Sequence, residues 1–91
     1  MKLEEYREKI DAVDEKLVAL FAERMELSRA IAEYKKENGL PVLDASREKE
    51  KLDRAAEQSP AELREYTRRL YTLLIELSRD YQRELIGKER G

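Results

Sequence analysis

Leu3, Tyr6, Ile10, Val13, Leu17, Leu20, Arg24, Leu27, Ile31 and Tyr34 follow one another in alternating steps of three and four, without a slip. That period belongs to one long helix packed along a seam. Asn38-Gly39 supplies a left-handed stop, with Pro41 just beyond it. The pattern therefore predicts a first helix over about 2–37, roughly 50 Å long at ~1.5 Å per residue. A compact domain of 91 residues has a radius of gyration of only about 12 Å. One helix overshoots its own domain, and the rest of the chain is too short to cover its stripe. A second copy is the simplest cover, so the expectation is an intertwined homodimer.

Arg24 is the exception on that seam. A guanidinium does not lose its proton in a protein, and burying it unpaired is costly. Either it meets a carboxylate, with Glu48 and Glu76 as candidates, or it receives an anion from outside. Successive helix residues turn by about 100°, so Ser28, Ile31 and Lys35 lie within roughly 40° of Arg24. Arg24 and Lys35 stand about 16 Å apart along the axis. Two cations on one inward strip suit a dianion.

The rest of the chain is helical too. Charged residues make up 44% and there are only three glycines and two prolines, a composition of long helices. Asp44 or Ser46 can cap a short second helix over about 46–57, whose apolar content is thin: Leu52, Ala55 and Ala56. Ser59-Pro60-Ala61-Glu62 reads as a capping box with Pro at the first helical position. It opens a third helix over about 60–86, with Leu63, Tyr66, Leu70, Leu73, Leu74, Leu77, Tyr81 and Leu85 on its expected buried face. The tail, residues 87–91, reads as a frayed end or the stub of a linker. The fold class is all-α: three helices, long, short and long, in one domain over 1–91.

Composition also narrows the chemistry. The chain has no cysteine and no histidine, which removes thiolate chemistry, the commonest general base and the commonest metal ligand. The expectation is no metal and no cofactor. A net charge of −2 with mixed signs argues against a nucleic-acid partner. No apolar run approaches the ~20 residues that span a bilayer, and the N-terminal stretch lacks a signal-peptide core. The expected location is the cytoplasm, with no membrane partner.

Further polar residues sit on or beside apolar faces. Ser78 and Gln82 are one turn apart on the third helix, and Arg47-Glu48 opens the second near anion-attracting backbone N–H groups. Each has a plain structural reading. Lys35 suits a helix C-terminus, Ser78 is a tolerated small residue, and Gln82 is a partly exposed margin. Arg7 is solvated, Asp44 is a cap, and Arg47 and Glu48 form a solvated first turn.

Taken together and in order, these residues resemble the all-helical family of chorismate mutases. The first helix reads Arg7-Glu8-Lys9-Ile10-Asp11-Ala12-Val13-Asp14, then Leu20-Phe21-Ala22-Glu23-Arg24, then Lys35. The loop and second helix read Pro41-Val42-Leu43-Asp44-Ala45-Ser46-Arg47-Glu48, and the third carries Ser78 and Gln82. The similarity runs from Leu3 to Leu85.

The resemblance implies conversion of chorismate to prephenate, an intramolecular Claisen rearrangement serving Phe and Tyr biosynthesis. It implies that Arg7 reaches across from the partner chain. Arg7 and Arg24 would hold the two substrate carboxylates, and Lys35 and Gln82 would hydrogen-bond the ether oxygen. Ser78 would help at a carboxylate. Glu48 would accept the ring hydroxyl, with Asp44 and Arg47 shaping that corner. A pericyclic reaction needs no nucleophile, proton transfer or metal, which agrees with the composition. Two alternatives stay open: a pyruvate lyase acting on isochorismate with the same fold, and a helical dimerisation or regulatory module without activity.

Overall fold

The computed structural model of the chain describes residues 2–90, with side chains to residue 87. Three helices carry the fold: α1 (Lys2–Glu37), α2 (Ala45–Gln58) and α3 (Arg64–Arg90). A single 3-10 turn, Ala61–Leu63, precedes α3. The shape is a rod of 55 × 27 × 15 Å with a radius of gyration of 16.5 Å. Its long dimension is the length of α1, as ~1.5 Å per residue requires.

Local chemistry sets the ends of the helices. At the end of α1, Gly39 has φ 64°. The Leu40 N–H bonds the Lys35 carbonyl at 2.8 Å, and the Gly39 N–H bonds that of Lys36 at 3.3 Å. This is a Schellman stop, and it needs a left-handed residue that glycine supplies without steric cost. At the start of α2, the Asp44 carboxylate accepts from the Arg47 N–H at 3.0 Å; Asp44, not Ser46, is the cap.

The capping box expected at Ser59 does not form. Ser59 ends α2, where its N–H bonds the Ala56 carbonyl. Its Oγ lies 3.1 Å from the Ala55 carbonyl oxygen and 2.6 Å from Thr67 Oγ1. The hydroxyl is occupied by the helix behind it and by the first turns of α3, so it is not free to cap. Pro60, extended at ψ 142°, turns the chain, and α3 begins at Arg64, later than its sequence signal. At the other end α3 continues past 86, through Gly87 to Arg90, over the stretch whose sequence reads as a frayed end or the stub of a linker. A helical glycine costs only about 1 kcal/mol, and no proline or cap intervenes. Gly91 lies outside the described residues.

The packing inside one chain uses small residues. Ala32, Ala55, Ala56 and Ile75 are the buried apolar residues, and Ser28 and Gln82 are the buried polar ones. Small side chains let the helix axes approach closely, but among the described residues no large side chain is fully buried. On α3 the face turned to α1 and α2 carries Tyr71, Ile75, Ser78 and Gln82, at steps of four, three and four. The stripe expected to be buried in a dimer is open in the single chain: Leu63, Tyr66, Leu70 and Leu73 are exposed, while Leu74, Leu77, Tyr81 and Leu85 are half-buried. α1 behaves alike. Its inner positions are Arg24, Ser28, Ala32 and Lys35, whereas the apolar residues of the seam stay exposed, Leu20 at 61%, although Leu27 and Ile31 also edge the cleft. Each long helix thus packs within the chain on small and polar residues and leaves most of its large apolar residues exposed.

Candidate active site

α1 brings three polar groups to the inner face. Arg24 Nη1 approaches the Leu74 carbonyl at 3.5 Å, a long contact that leaves most of the guanidinium uncommitted. Neither candidate carboxylate pairs with it: Glu48 faces Arg79, and Glu76 is exposed. Ser28 Oγ and Ser78 Oγ are 2.5 Å apart. Two hydroxyls carry two protons and their mutual bond uses one, so the other remains available. This bond also fixes α1 against α3. One turn before the Schellman stop, Lys35 donates from Nζ to the Val42 carbonyl at 2.7 Å. The ammonium keeps two further donors, and the loop holds it in place.

α2 contributes Asp44, Arg47, Glu48 and Lys51. Arg47 pairs with Glu50 at 3.4 Å on an exposed surface, a contact of little energetic weight. Glu48 Oε2 lies 3.2 Å from Arg79 Nε, with both side chains partly buried. That Nε is buried and has no properly directed hydrogen bond, so the two groups share charge contact without a locked geometry. α3 adds Gln82, which is only 6% exposed and whose Oε1 is buried without a partner. Its reading as a partly exposed margin is therefore overturned. An unpaired amide oxygen in the interior is costly unless a donor supplies the missing bond.

These groups meet in one cleft of about 630 Å³ between the three helices, a size suited to a small organic ligand. Arg24, Lys35, Asp44, Arg47, Glu48, Ser78 and Gln82 all line it. Leu27, Ile31, Val42, Tyr71 and Ile75 supply its apolar wall. Five cationic side chains face two carboxylates there, although the whole chain carries a net charge of −2. The cleft concentrates positive charge for an anion. Among the described residues, no group of acids, histidines or cysteines could hold a metal ion, and no helix is long and apolar enough to cross a membrane.

Arg7 is not part of this cleft. It sits about 25 Å along α1 from Arg24, exposed, with Nη1 3.1 Å from Glu4. Conversely, Lys51 and Arg79 line the cleft and were not singled out in the sequence. Lys51 had a signal: it stands four residues after Arg47 and three after Glu48, on the same helical face. Arg79, between Ser78 and Gln82, looks like one more surface charge until α2 is seen beside it.

The family profile described as chorismate mutase type II matches residues 6–83. The chain belongs to the type II chorismate mutase family. Among its relatives is a chorismate mutase of Methanocaldococcus jannaschii, 47% identical over 53 residues, or 58% of this chain and 54% of that protein. A bifunctional chorismate mutase/prephenate dehydratase of Escherichia coli K12 is 43% identical over 72 residues, 77% of this chain and 19% of that protein. One of Buchnera aphidicola is 36% identical over 86 residues, 91% of this chain and 22% of that protein. The chain thus spans about half of the first relative and about a fifth of the bifunctional ones. The family match covers α2 whole, most of α1 and α3, and every cleft-lining residue.

Proposed function

We propose that this chain is a chorismate mutase, converting chorismate to prephenate by a Claisen rearrangement within one bound molecule. The observation that carries this reading is the cationic cleft in which a loop-anchored lysine and the buried amide of Gln82 both present N–H donors. Family membership points the same way.

In the reaction one C–O bond breaks while one C–C bond forms, with all electrons moving within the substrate. The protein's task is to hold the reactive conformer and to meet developing charge. Bond breaking leaves partial negative charge on the ether oxygen. The Lys35 ammonium and a Gln82 N–H donor stabilise that charge more than the ground state. Losing one such donor typically costs roughly 3–4 kcal/mol, and a modest enzymatic acceleration needs about 8 kcal/mol. Two donors and conformational restraint together reach that range.

Arg24 binds one substrate carboxylate, and the free proton of the Ser28–Ser78 pair supports it. Glu48 accepts the ring hydroxyl, with Asp44 and Arg47 closing that corner. The second carboxylate is met by Arg7 of a second copy. The uncovered seams of α1 and α3 support a homodimer, because contiguous apolar patches of this extent mark interaction surfaces. Work on a small charged metabolite of Phe and Tyr biosynthesis fits a cytoplasmic enzyme.

The test is to incubate the purified chain with chorismate and, separately, with isochorismate. Substrate loss is followed by ultraviolet absorbance, and prephenate is identified by acid conversion to phenylpyruvate. Saturable prephenate formation supports the reading. Pyruvate release from isochorismate alone moves the activity to the lyase, and no turnover of either substrate by a folded protein removes the enzyme.

A further inference from the structure

We infer that Arg79 is a positioning residue for the proposed mutase reaction, acting through Glu48, and that this pair rather than Glu48 alone recognises the hydroxyl end of the substrate. The inference rests on the chorismate mutase reading.

Three observations carry it. First, Glu48 lines a cleft meant for a dianion, so an uncompensated carboxylate there repels the ligand. Arg79 Nε, at 3.2 Å from Glu48 Oε2, is the cation in ion-pair contact with Glu48 among the described residues. Arg47, its neighbour in sequence, faces Glu50 instead, and Lys51 forms no ion pair among the described residues. Second, the pair bridges α2 and α3, so it sets how far the Glu48 carboxylate stands from Ser78 and Gln82, which share the α3 face with Arg79. Third, the contact is unfinished. Arg79 Nε is buried yet lacks a directed hydrogen bond. Glu48 can rotate when a hydroxyl arrives and complete the Arg79 bond in the same movement. Hydrogen bonds at catalytic sites often tighten in this way only when substrate is bound.

Arg79 therefore neutralises Glu48, orients it and leaves its second oxygen for the substrate. Glu48 is the group that touches substrate, and Arg79 acts at one remove.

A double-mutant cycle on the full chain tests this, using Arg79→Ala, Glu48→Gln and the double variant. kcat and KM are measured for chorismate, and folding is checked by thermal melting. Arg79→Ala is expected to lower kcat/KM roughly 10- to 100-fold, by analogy with the loss when a partner that orients a metal-binding side chain is removed. In the Glu48→Gln background the same change is expected to cost less than about 2-fold, because there is no carboxylate left to place. Arg79→Lys is expected to recover part of the loss by restoring the charge.

Equal losses in both backgrounds overturn the inference, since Arg79 would then contact substrate or support the fold independently of Glu48. A wild-type-like Arg79→Ala overturns it as well. Should Arg79→Ala fail to fold, Arg79→Gln and Arg79→Lys carry the same cycle. An inactive wild-type chain instead rejects the mutase reading, and the inference falls with it; an active wild type with additive variants rejects the inference alone.

Discussion

Replacing Gln82 by Leu separates stability from catalysis. In the free protein Gln82 is 6% exposed and its Oε1 has no partner. A buried, unsatisfied polar atom costs about 1–3 kcal/mol relative to an apolar group of the same shape. Leu is similar in size and removes that atom, so the variant should be more stable by about 1–2 kcal/mol. A unit of two such chains carries the change twice, about 2–4 kcal/mol in all, which raises Tm by about 4–16 °C. On the proposed reaction the same change removes a donor at the ether oxygen, and kcat should fall about 100- to 1,000-fold. The two readouts move in opposite directions. Thermal melting at fixed protein concentration gives the first, since concentration shifts the Tm of an oligomer. Chorismate turnover gives the second. A variant that melts lower and keeps kcat within about 3-fold of the parent would refute the reasoning, making Gln82 part of the scaffold.

Other substitutions have distinct signatures. Lys35→Ala removes the charged donor and should cost kcat about 1,000-fold, read as turnover, while melting moves little because the Val42 carbonyl lies beside a solvent-open cleft. Arg24→Ala should lower kcat/KM by about 100-fold or more through a lost charge-assisted contact, with dimer mass unchanged by sedimentation. Gly39→Ala meets nothing within 4 Å but must hold φ 64°, so it should destabilise by about 1–2 kcal/mol with the chemistry of the cleft intact, measured by denaturant titration. Leu17→Glu places a charge on the open seam of α1 and should shift sedimentation from dimer to monomer, with loss of turnover.

The fold was readable where one local signal acts alone. The seam from Leu3 to Tyr34 announces α1, and Asn38-Gly39 ends it where the left-handed glycine stands. Asp44 caps α2 as a short acceptor should. Signals that compete are harder to read. Ser59 has the spacing of a capping box, yet its hydroxyl bonds Ala55 and Thr67 because α2 reaches it first. On α3 the large apolar residues point to the uncovered seam, while the face used inside the chain is Tyr71, Ile75, Ser78 and Gln82. Hydrophobic periodicity finds the stronger stripe, which need not be the one a chain packs on itself.

The cleft shows the same division. Arg24 and Lys35 were visible as cations on one helical strip, and Gln82 as an amide on an apolar margin. Their convergence with Asp44, Arg47, Glu48 and Ser78 depends on the angle between helices, which no local pattern records. Arg79 was hidden for that reason: its significance comes from Glu48, on another helix and 31 positions earlier in the chain.

Mixing two inactive chains tests the central claim most directly. One carries Arg7→Ala and the other Gln82→Ala, and they are unfolded together and refolded at equal concentration beside the wild type. If each site joins Arg7 of one copy to the cleft of another, random pairing makes about half of the dimers mixed, each with one intact site. Chorismate turnover should then recover to about a quarter of the wild-type value, from parents that are each nearly inactive. A mixture no more active than its parents, beside an active wild type, would contradict the shared site; no turnover by the folded wild-type dimer would contradict the mutase itself.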